Sequence, residues 1–272
     1  MSVANTIELT LEQRTRLVSV AFMNLLWRDI WVTIRQWPTF LAQNLMQPVF
    51  FLFIFADVLP KLGQTSSEYS VTLLPGIIAL TTLLTAMQSI ALPLTIEFGY
   101  TKEIEDRLLS PLPIWMVALQ KMVFASLRGL LAGAVIIPLG RVIIGGSFSI
   151  SLDHILLLTV VSILGAFGGS ALGLFLGTFV QPMQIGLWFS LILTPLLFTG
   201  CVYYPWAMLD RLRWFQVVTC FSPLTYTSEG FRASLVPQMH HMPGWFILAG
   251  QLFFLALFGY LGARGFAKKA LD

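Results

Sequence analysis

The chain has 272 residues, of which 57% are hydrophobic and only 11% are charged. A soluble domain carries about a quarter charged residues, so this chain has too little polar surface to cover an apolar interior in water, and the bilayer is its expected solvent. The formal net charge of +3 is too small and too dispersed to indicate nucleic-acid binding. Two cysteines, Cys201 and Cys220, are too few for a disulfide scaffold, although they could pair in an oxidising compartment.

The first predicted element is an amphipathic helix within residues 1–38, which form a cytoplasmic arm. Arg28 and Arg35 fall on one stripe of this helix at 100° per residue. Several tryptophans in the same stretch suit the headgroup layer of a membrane. Because Pro38 disfavours a helical conformation at Trp37, the sequence predicts an interfacial helix and not an N-terminal extension of the first span.

Six apolar runs follow, each long enough, at roughly 20 residues, to cross a bilayer. The sequence therefore predicts an all-α integral membrane protein with six transmembrane helices over residues 39–272, with a turn at Gln181–Gln184 between the fourth and fifth. With both termini in the cytoplasm, ten Lys and Arg side chains lie inside and five outside, which favours this orientation. The runs lie near residues 39–59, 72–95, 117–139, 154–180, 185–204 and 243–263.

The loop between the second and third runs, residues 96–116, holds the densest cluster of charges. Two interpretations stay open: a solvated loop that its charges keep out of lipid, or a helix that docks on a cytoplasmic partner. The loop re-enters the membrane after two prolines. Its charged residues are Glu97, Lys102, Glu103, Glu105, Asp106 and Arg107.

The fourth run has a glycine at every fourth position, which makes three successive GxxxG steps. Such a stripe forms a groove in which another backbone can approach closely. Ser170 lies within the stripe. An intramembrane serine protease would need a histidine facing this hydroxyl, but the three histidines lie near span ends, so helix packing is the favoured role. The glycines are Gly165, Gly169, Gly173 and Gly177.

No motif in the sequence indicates catalysis. There is no GxxxxGK[ST] for ATP, no HExxH for zinc, and the pair His240–His241 has no third soft ligand nearby. We therefore predict no catalytic residue, no metal site and no cofactor bound by this chain. The spans hold few ionisable residues, with Arg128 the main exception. Ion-driven carriers usually have buried acids at mid-membrane, so the energy source is expected elsewhere, with an ion-coupled secondary transporter as the alternative.

Two motifs resemble those of the membrane permease of bacterial ATP-binding-cassette (ABC) exporters of the type-2 family. KEIEDRLLSPLP is similar to the family's charged coupling helix followed by Leu-Leu-x-x-Pro. LLFTGCVYYP…CFSPLTYTSEGFR resembles the end of span five followed by a Pro-Leu-Thr-Tyr segment that leads to an acid and an arginine. The order of the elements also agrees, so the resemblance covers nearly the whole chain.

The resemblance implies a cytoplasmic coupling helix between spans two and three that faces the ATPase. It also implies an outer re-entrant helical hairpin, residues 205–242, that narrows the exit between spans five and six. Within it, Glu229 and Arg232 lie at i,i+3 spacing and are expected to pair. The residues assigned to this outer gate are Tyr203, Tyr204, Pro205, Pro223, Leu224, Thr225, Tyr226, Glu229 and Arg232.

By the same resemblance, the chain is a multi-pass permease subunit in the bacterial cytoplasmic (inner) membrane that exports an amphipathic drug, lipid or glycolipid. Its implied partners are a second permease copy, identical or paralogous, and two ABC ATPase subunits that hold ATP and Mg. The two permeases are expected to meet through spans one, two and five. The 22 phenylalanines permit an aromatic pathway, and export of a polysaccharide or glycan is the alternative within the family.

Overall fold

The computed structural model describes residues 11–63, 67–101, 112–144 and 154–271, and the regular elements in these ranges are all helical. A π-helical stretch, Ile54–Val58, and a single turn, Leu59–Lys61, continue α2, while the π-helical Glu97–Thr101 continues α3. The longer helices are α1 (Leu11–Arg35), α2 (Trp37–Phe53), α3 (Ser67–Ile96), α4 (Ile114–Ile144), α5 (Ile155–Phe179), α6 (Ile185–Thr199), α7 (Arg213–Thr219), α8 (Pro223–Leu235) and α9 (Gly244–Leu271).

In the described ranges, seven helices are long and apolar enough to cross a membrane. Six of them correspond to the apolar runs seen in the sequence, and the seventh is α1, where Arg16–Arg35 reaches a mean hydropathy of 1.4. Length and composition therefore leave open whether α1 crosses the membrane. The all-helical membrane architecture agrees with the prediction, while the number of spans is not decided by these criteria.

The helix at the centre of the molecule is α3, in which 89% of the most apolar window is buried. It packs chiefly against α4, α5 and α8. Its buried threonines do not leave polar groups unsatisfied, because Thr81 and Thr82 donate to the carbonyl oxygens four residues earlier, at 2.8 Å each. The helix can therefore carry hydroxyl groups through an apolar environment.

The chain breaks close to the positions that proline indicated. The helix α1 ends at Arg35, Gln36 forms a turn with φ −108° and ψ 23°, and α2 begins at Trp37 with Pro38 in its first turn. This break lies one residue before the expected one, because proline fits the first turn of a helix. The turn predicted between the fourth and fifth runs is also present, as Pro182–Gln184.

The helix α1 packs against one end of the helical body only. Val18, Phe22 and Leu25 contact an apolar cluster that includes Leu94 of α3 and Val117 of α4. This cluster lies where α3 ends and α4 begins, on either side of the charged loop. The contact explains why only 6% of the apolar window of α1 is buried.

Candidate functional site

The helix α8, which carries Thr, Ser, Glu and Arg side chains, is completely enclosed. All residues of α8, from Pro223 to Leu235, are buried, and the helix packs on α3, α5 and α9. It starts at Pro223, whose missing N–H falls among the donors that a first helical turn leaves unpaired. A polar helix can be buried at low cost only where its groups find partners inside the protein.

Hydroxyl groups on α8 attach it to the segments that precede it. The Thr225 Oγ1 lies 2.8 Å from the carbonyl oxygen of Thr199 and 2.7 Å from that of Thr219. The Tyr226 hydroxyl donates to the carbonyl oxygen of Cys220 at 2.9 Å. The end of α6 and the end of α7 are therefore both held on the first turn of α8.

A buried ion pair lies at the middle of α8. Glu229 and Arg232 are both 0% exposed, and the guanidinium donates to the carboxylate, which confirms the pairing expected from their spacing. The carboxylate also accepts the backbone N–H groups of Trp206, at 3.0 Å, and Met242, at 3.1 Å. Arg232 donates in addition to the carbonyl oxygen of Cys201 at 3.0 Å. We call this pair and its three backbone partners the clasp.

The clasp joins three separate segments of the chain. Trp206 and Cys201 belong to the connection between α6 and α7, Met242 precedes α9, and both charges belong to α8. Burying two charges is unfavourable unless additional hydrogen bonds satisfy them, and the clasp provides such bonds. Cys201 has a positive φ of 50°, which is uncommon for a residue with a side chain. Both cysteines are free.

The remaining residues predicted for the outer gate surround the clasp. The Tyr203 ring packs 5.6 Å from that of Phe51 and 5.8 Å from that of Phe55, both centroid to centroid, which connects this region to the continuation of α2. The Tyr204 hydroxyl donates to the carbonyl oxygen of Phe198. Pro205 and Leu224 are buried. Their role as a gate stays a prediction.

The glycines of α5 lie where other helices come close. A Cβ at Gly169 would overlap the carbonyl oxygen of Leu83, and one at Gly173 would overlap Met87, both in α3. Gly165 faces α8 instead, so the stripe accommodates two partners. Small residues that permit such backbone approach are typical of membrane helix pairs. The full stripe is Gly165, Gly169, Gly173 and Gly177.

Ser170 has partners suited to packing. The Ser126 hydroxyl of α4 donates to the Ser170 Oγ at 3.0 Å, and Ser170 donates to the carbonyl oxygen of Phe167 at 2.9 Å. Neither partner is a base that could activate a nucleophile. The hydroxyl therefore links α4 and α5 and does not form a catalytic pair with these groups.

At the opposite end of α3, Glu97 pairs with Lys121 of α4. The side chains are only 10% and 8% exposed, so the pair ties together the two helices that flank the charged loop. Glu97 is the one predicted coupling residue within the described ranges. The others, Lys102, Glu103, Glu105, Asp106 and Arg107, lie outside the described residues.

The structure adds contacts that the sequence did not reveal. Gln120 of α4 donates to the carboxylate of Asp29 at 3.0 Å, which fixes α1 on α4. Arg128 places its guanidinium carbon 4.6 Å from the centre of the Phe40 ring and 5.7 Å from that of Phe124. An arginine inside an apolar run was the available signal, but its surroundings depend on α2. Arg28 and Arg35 are exposed on α1.

These features define a multi-pass helical membrane protein with a charged loop at one end and a buried clasp between its last spans. Residues 20–236 match the family model of the ABC-2 type transporter. The chain therefore belongs to the ABC-2 type transporter family.

Among known proteins, the chain is similar to "Putative transport permease ycf38" of Cyanophora paradoxa, with 26% identity over 223 residues. This alignment covers 75% of the present chain and 71% of the relative. The chain is thus a transport subunit, and its family implies an ABC ATPase as partner. Family membership decides against the ion-coupled secondary transporter.

Proposed function

We propose that the chain is the permease subunit of an ATP-driven exporter that moves an amphipathic drug, lipid or glycolipid out across the bacterial cytoplasmic membrane. Two permease copies pair with two separate ATPase subunits, which hold ATP and Mg. Family membership supports transport and the ATPase partner. The clasp is the observation that supports a gate at the outer side. Its hydrogen bonds make the connection between α6 and α9 a rigid unit, and such a unit can narrow the exit of a transport pathway.

In this proposal α1 lies on the cytoplasmic face and both termini are cytoplasmic. Two observations support it. The helix α1 contacts the end of the body near the charged loop, and Arg28 and Asp29 lie inside its apolar window Arg16–Arg35, where a spanning helix would hold charges at a high cost. Trp27 and Trp31 are 63% and 59% exposed, as suits side chains at the headgroup layer.

Topology reporters fused to each terminus test this arrangement. A reporter active only in the cytoplasm should be active at both ends, because six spans return the chain to the side on which it began. Reporter activity at one terminus alone would mean that α1 crosses the membrane, and the interfacial assignment would then be wrong.

The ATPase is proposed to act on the charged loop, and the loop on the helices that flank it. The Glu97–Lys121 pair supports this role because it holds the ends of α3 and α4 together. Motion imposed on the loop would therefore move both helices as one body. The residues proposed to face the ATPase are Glu97, Lys102, Glu103, Glu105, Asp106 and Arg107.

Replacing Glu105 and Arg107 together by alanine tests this coupling in the complex with the ATPase. We expect normal expression with loss of transport and of stimulated ATP hydrolysis. The matched control replaces the paired acid and base Asp57 and Lys61, which removes the same charges outside both the charged loop and the proposed gate and should leave coupling intact. Unchanged coupling in the first variant would refute the docking role.

The second copy is proposed to face α2 and α6. Large apolar side chains are exposed on both, including Phe50 at 58% and Leu191 at 57%. Only 11% of the apolar window of α6 is buried within the chain. The burial of α3 leaves it little free surface, so its share of the interface should be smaller than the resemblance implied.

Cross-linking through introduced cysteines distinguishes this face from a lipid-facing one. In a background without the two native cysteines, Phe50→Cys should form a cross-linked dimer in membranes. Phe253→Cys on α9, where Phe253 is 61% exposed, is the control and should stay monomeric. Equal cross-linking at both positions would contradict the proposed face.

One observation favours the glycan-exporting alternative. Gln43 and Gln47 are exposed on α2 beside Gln88 of α3, and together they line a small groove. Exposing amide groups to lipid inside the membrane is energetically unfavourable. The same amides can bind the hydroxyl groups of a transported glycan. Stimulation of ATP hydrolysis by a lipid-linked oligosaccharide, but not by the same lipid without its glycan or by amphipathic drugs, would select this alternative.

A further inference from the structure

A cavity of about 750 Å³ lies between α1, α2, α3 and α4. This volume falls within the range of ligand pockets. Its apolar wall includes Leu25, Val32 and Ile90, and its charged groups come mainly from α1 and α4. The lining is unevenly exposed, since the Arg28 side chain is 55% exposed and the Lys121 side chain is 8% exposed, and we call the side at Arg28 the mouth.

The charges that line this cavity do not cancel. Arg28 pairs with Asp29 at 3.3 Å, and Lys121 pairs with Glu97. Arg128 is the fifth charged residue of the lining, and among the described residues it has no carboxylate partner. The lining therefore carries one positive charge in excess, located on Arg128.

The surroundings of Arg128 leave hydrogen-bonding capacity unused. The guanidinium lies over the rings of Phe40 and Phe124, which attract its charge but accept no conventional hydrogen bond. Its Nε is buried and has no hydrogen-bond partner within the described part of the chain. A half-buried cation without an anion is unfavourable, and a planar guanidinium matches phosphate oxygens with two parallel hydrogen bonds.

We propose that this cavity binds the phosphate group of an anionic lipid, with Arg128 as its ligand and with the acyl chains against the apolar wall. The mouth adjoins α1, whose exposed side chains suit the membrane surface, so a lipid can enter sideways from the leaflet next to that helix. The site is formed within one chain. Binding needs neither ATP nor transport, so it can be tested separately from the proposed export function.

The test measures lipid binding by native mass spectrometry on the full-length chain purified with its ATPase. Phosphatidic acid and phosphatidylcholine with identical acyl chains are the probes. We expect phosphatidic acid to bind at least about tenfold more tightly, since its phosphomonoester has a net negative charge for Arg128, whereas the choline cation neutralises the phosphate of phosphatidylcholine. Equal affinity for the two lipids would overturn the proposal.

Two variants and a control test whether Arg128 is the residue that binds the lipid phosphate. The preference for phosphatidic acid should disappear in Arg128→Gln and persist in Arg141→Gln, which removes an exposed arginine from the same helix. Val32→Trp places a bulky ring in the apolar wall without altering the charge and should weaken phosphatidic acid binding, so the proposal stays testable if Arg128→Gln does not fold. Retention of the preference in Arg128→Gln, or unchanged phosphatidic acid binding in Val32→Trp, would refute the site.

Inorganic phosphate separates a lipid site from a site for a free anion. At concentrations equal to those of the lipid, inorganic phosphate should leave lipid binding unchanged, because it cannot use the apolar wall. Displacement of phosphatidic acid by an equal concentration of inorganic phosphate would show that the tail contributes nothing and would contradict the proposal.

Discussion

The helices α1 and α8 differ in how far the rest of the protein encloses them. The apolar window of α1 has the hydropathy of a membrane span, yet only 6% of it is buried within the chain. The helix α8 carries Thr, Ser, Glu and Arg side chains, yet all of its residues are buried. The hydropathy of the Arg16–Arg35 window alone would have favoured a membrane span for α1.

The difference arises from where each helix finds partners for its groups. The polar groups of α8 meet backbone groups from three other segments, so burial leaves few of them unsatisfied. The apolar side chains of α1 need no such partners, because the surface of a membrane can accommodate them. In a bilayer, whether a helix is buried inside the protein therefore depends on the hydrogen-bond partners available to it as much as on its hydropathy.

The largest effect on stability is expected from a substitution in the buried ion pair of α8. Glu229→Gln leaves Arg232 buried without its anion, so we expect a loss of about 3–5 kcal/mol in the free energy of unfolding, together with loss of transport. Denaturation of the purified chain in micelles measures the first quantity. Asp210→Asn, at an exposed carboxylate of the same region, is the control and should change stability little.

A double variant sharpens this prediction. Adding Arg232→Met to Glu229→Gln removes the orphaned charge, so the double variant should be more stable than the single one. If Glu229→Gln by itself preserves both stability and transport, the clasp does not support the fold or the gate.

An intermediate effect on stability is expected where α5 packs against α3. Gly169→Ala places a Cβ against the backbone of Leu83, which cannot rotate away, so we expect a loss of about 1–3 kcal/mol. Gly168→Ala is the matched control, since no atom lies within 4 Å of a Cβ at the neighbouring glycine. Thermal denaturation of the two variants compares them directly, and equal midpoints would exclude a role for close packing at Gly169.

The smallest effect on stability is expected on α1. Trp31→Ala removes a side chain that is 59% exposed, so the free energy of unfolding should change by no more than about 0.5 kcal/mol. Association of α1 with the membrane surface should weaken, because tryptophan favours that layer. Proteolysis of the N-terminal arm in vesicles measures this association, and strong destabilisation of the body would show that α1 is part of the core.

Several elements were predictable because they depend on neighbours in sequence. Proline indicated the break before α2, the turn before α6 and the start of α8, since its ring fixes φ locally. The Glu229–Arg232 pair followed from helical spacing. The family could be identified from two motifs, and the match over residues 20–236 agrees with it.

Contacts between distant segments were not predictable in this way. The backbone donors that Trp206 and Met242 offer to Glu229 carry no mark in the sequence, because every residue except proline has such a group. The cavity around Arg128 depends on how α1 and α2 cross α4. A lone arginine in an apolar run indicated a special position but gave no information about its surroundings.

The sequence by itself determined that this protein lies in a bilayer, that it is helical and which family it belongs to, because hydropathy, spacing and motifs are local properties. Tertiary structure decided that α8 is enclosed on all sides and that α1 packs on the rest of the protein along one face only. The physical reason is that a buried polar group needs a partner, and the partners of α8 come from segments that only the folded chain brings together.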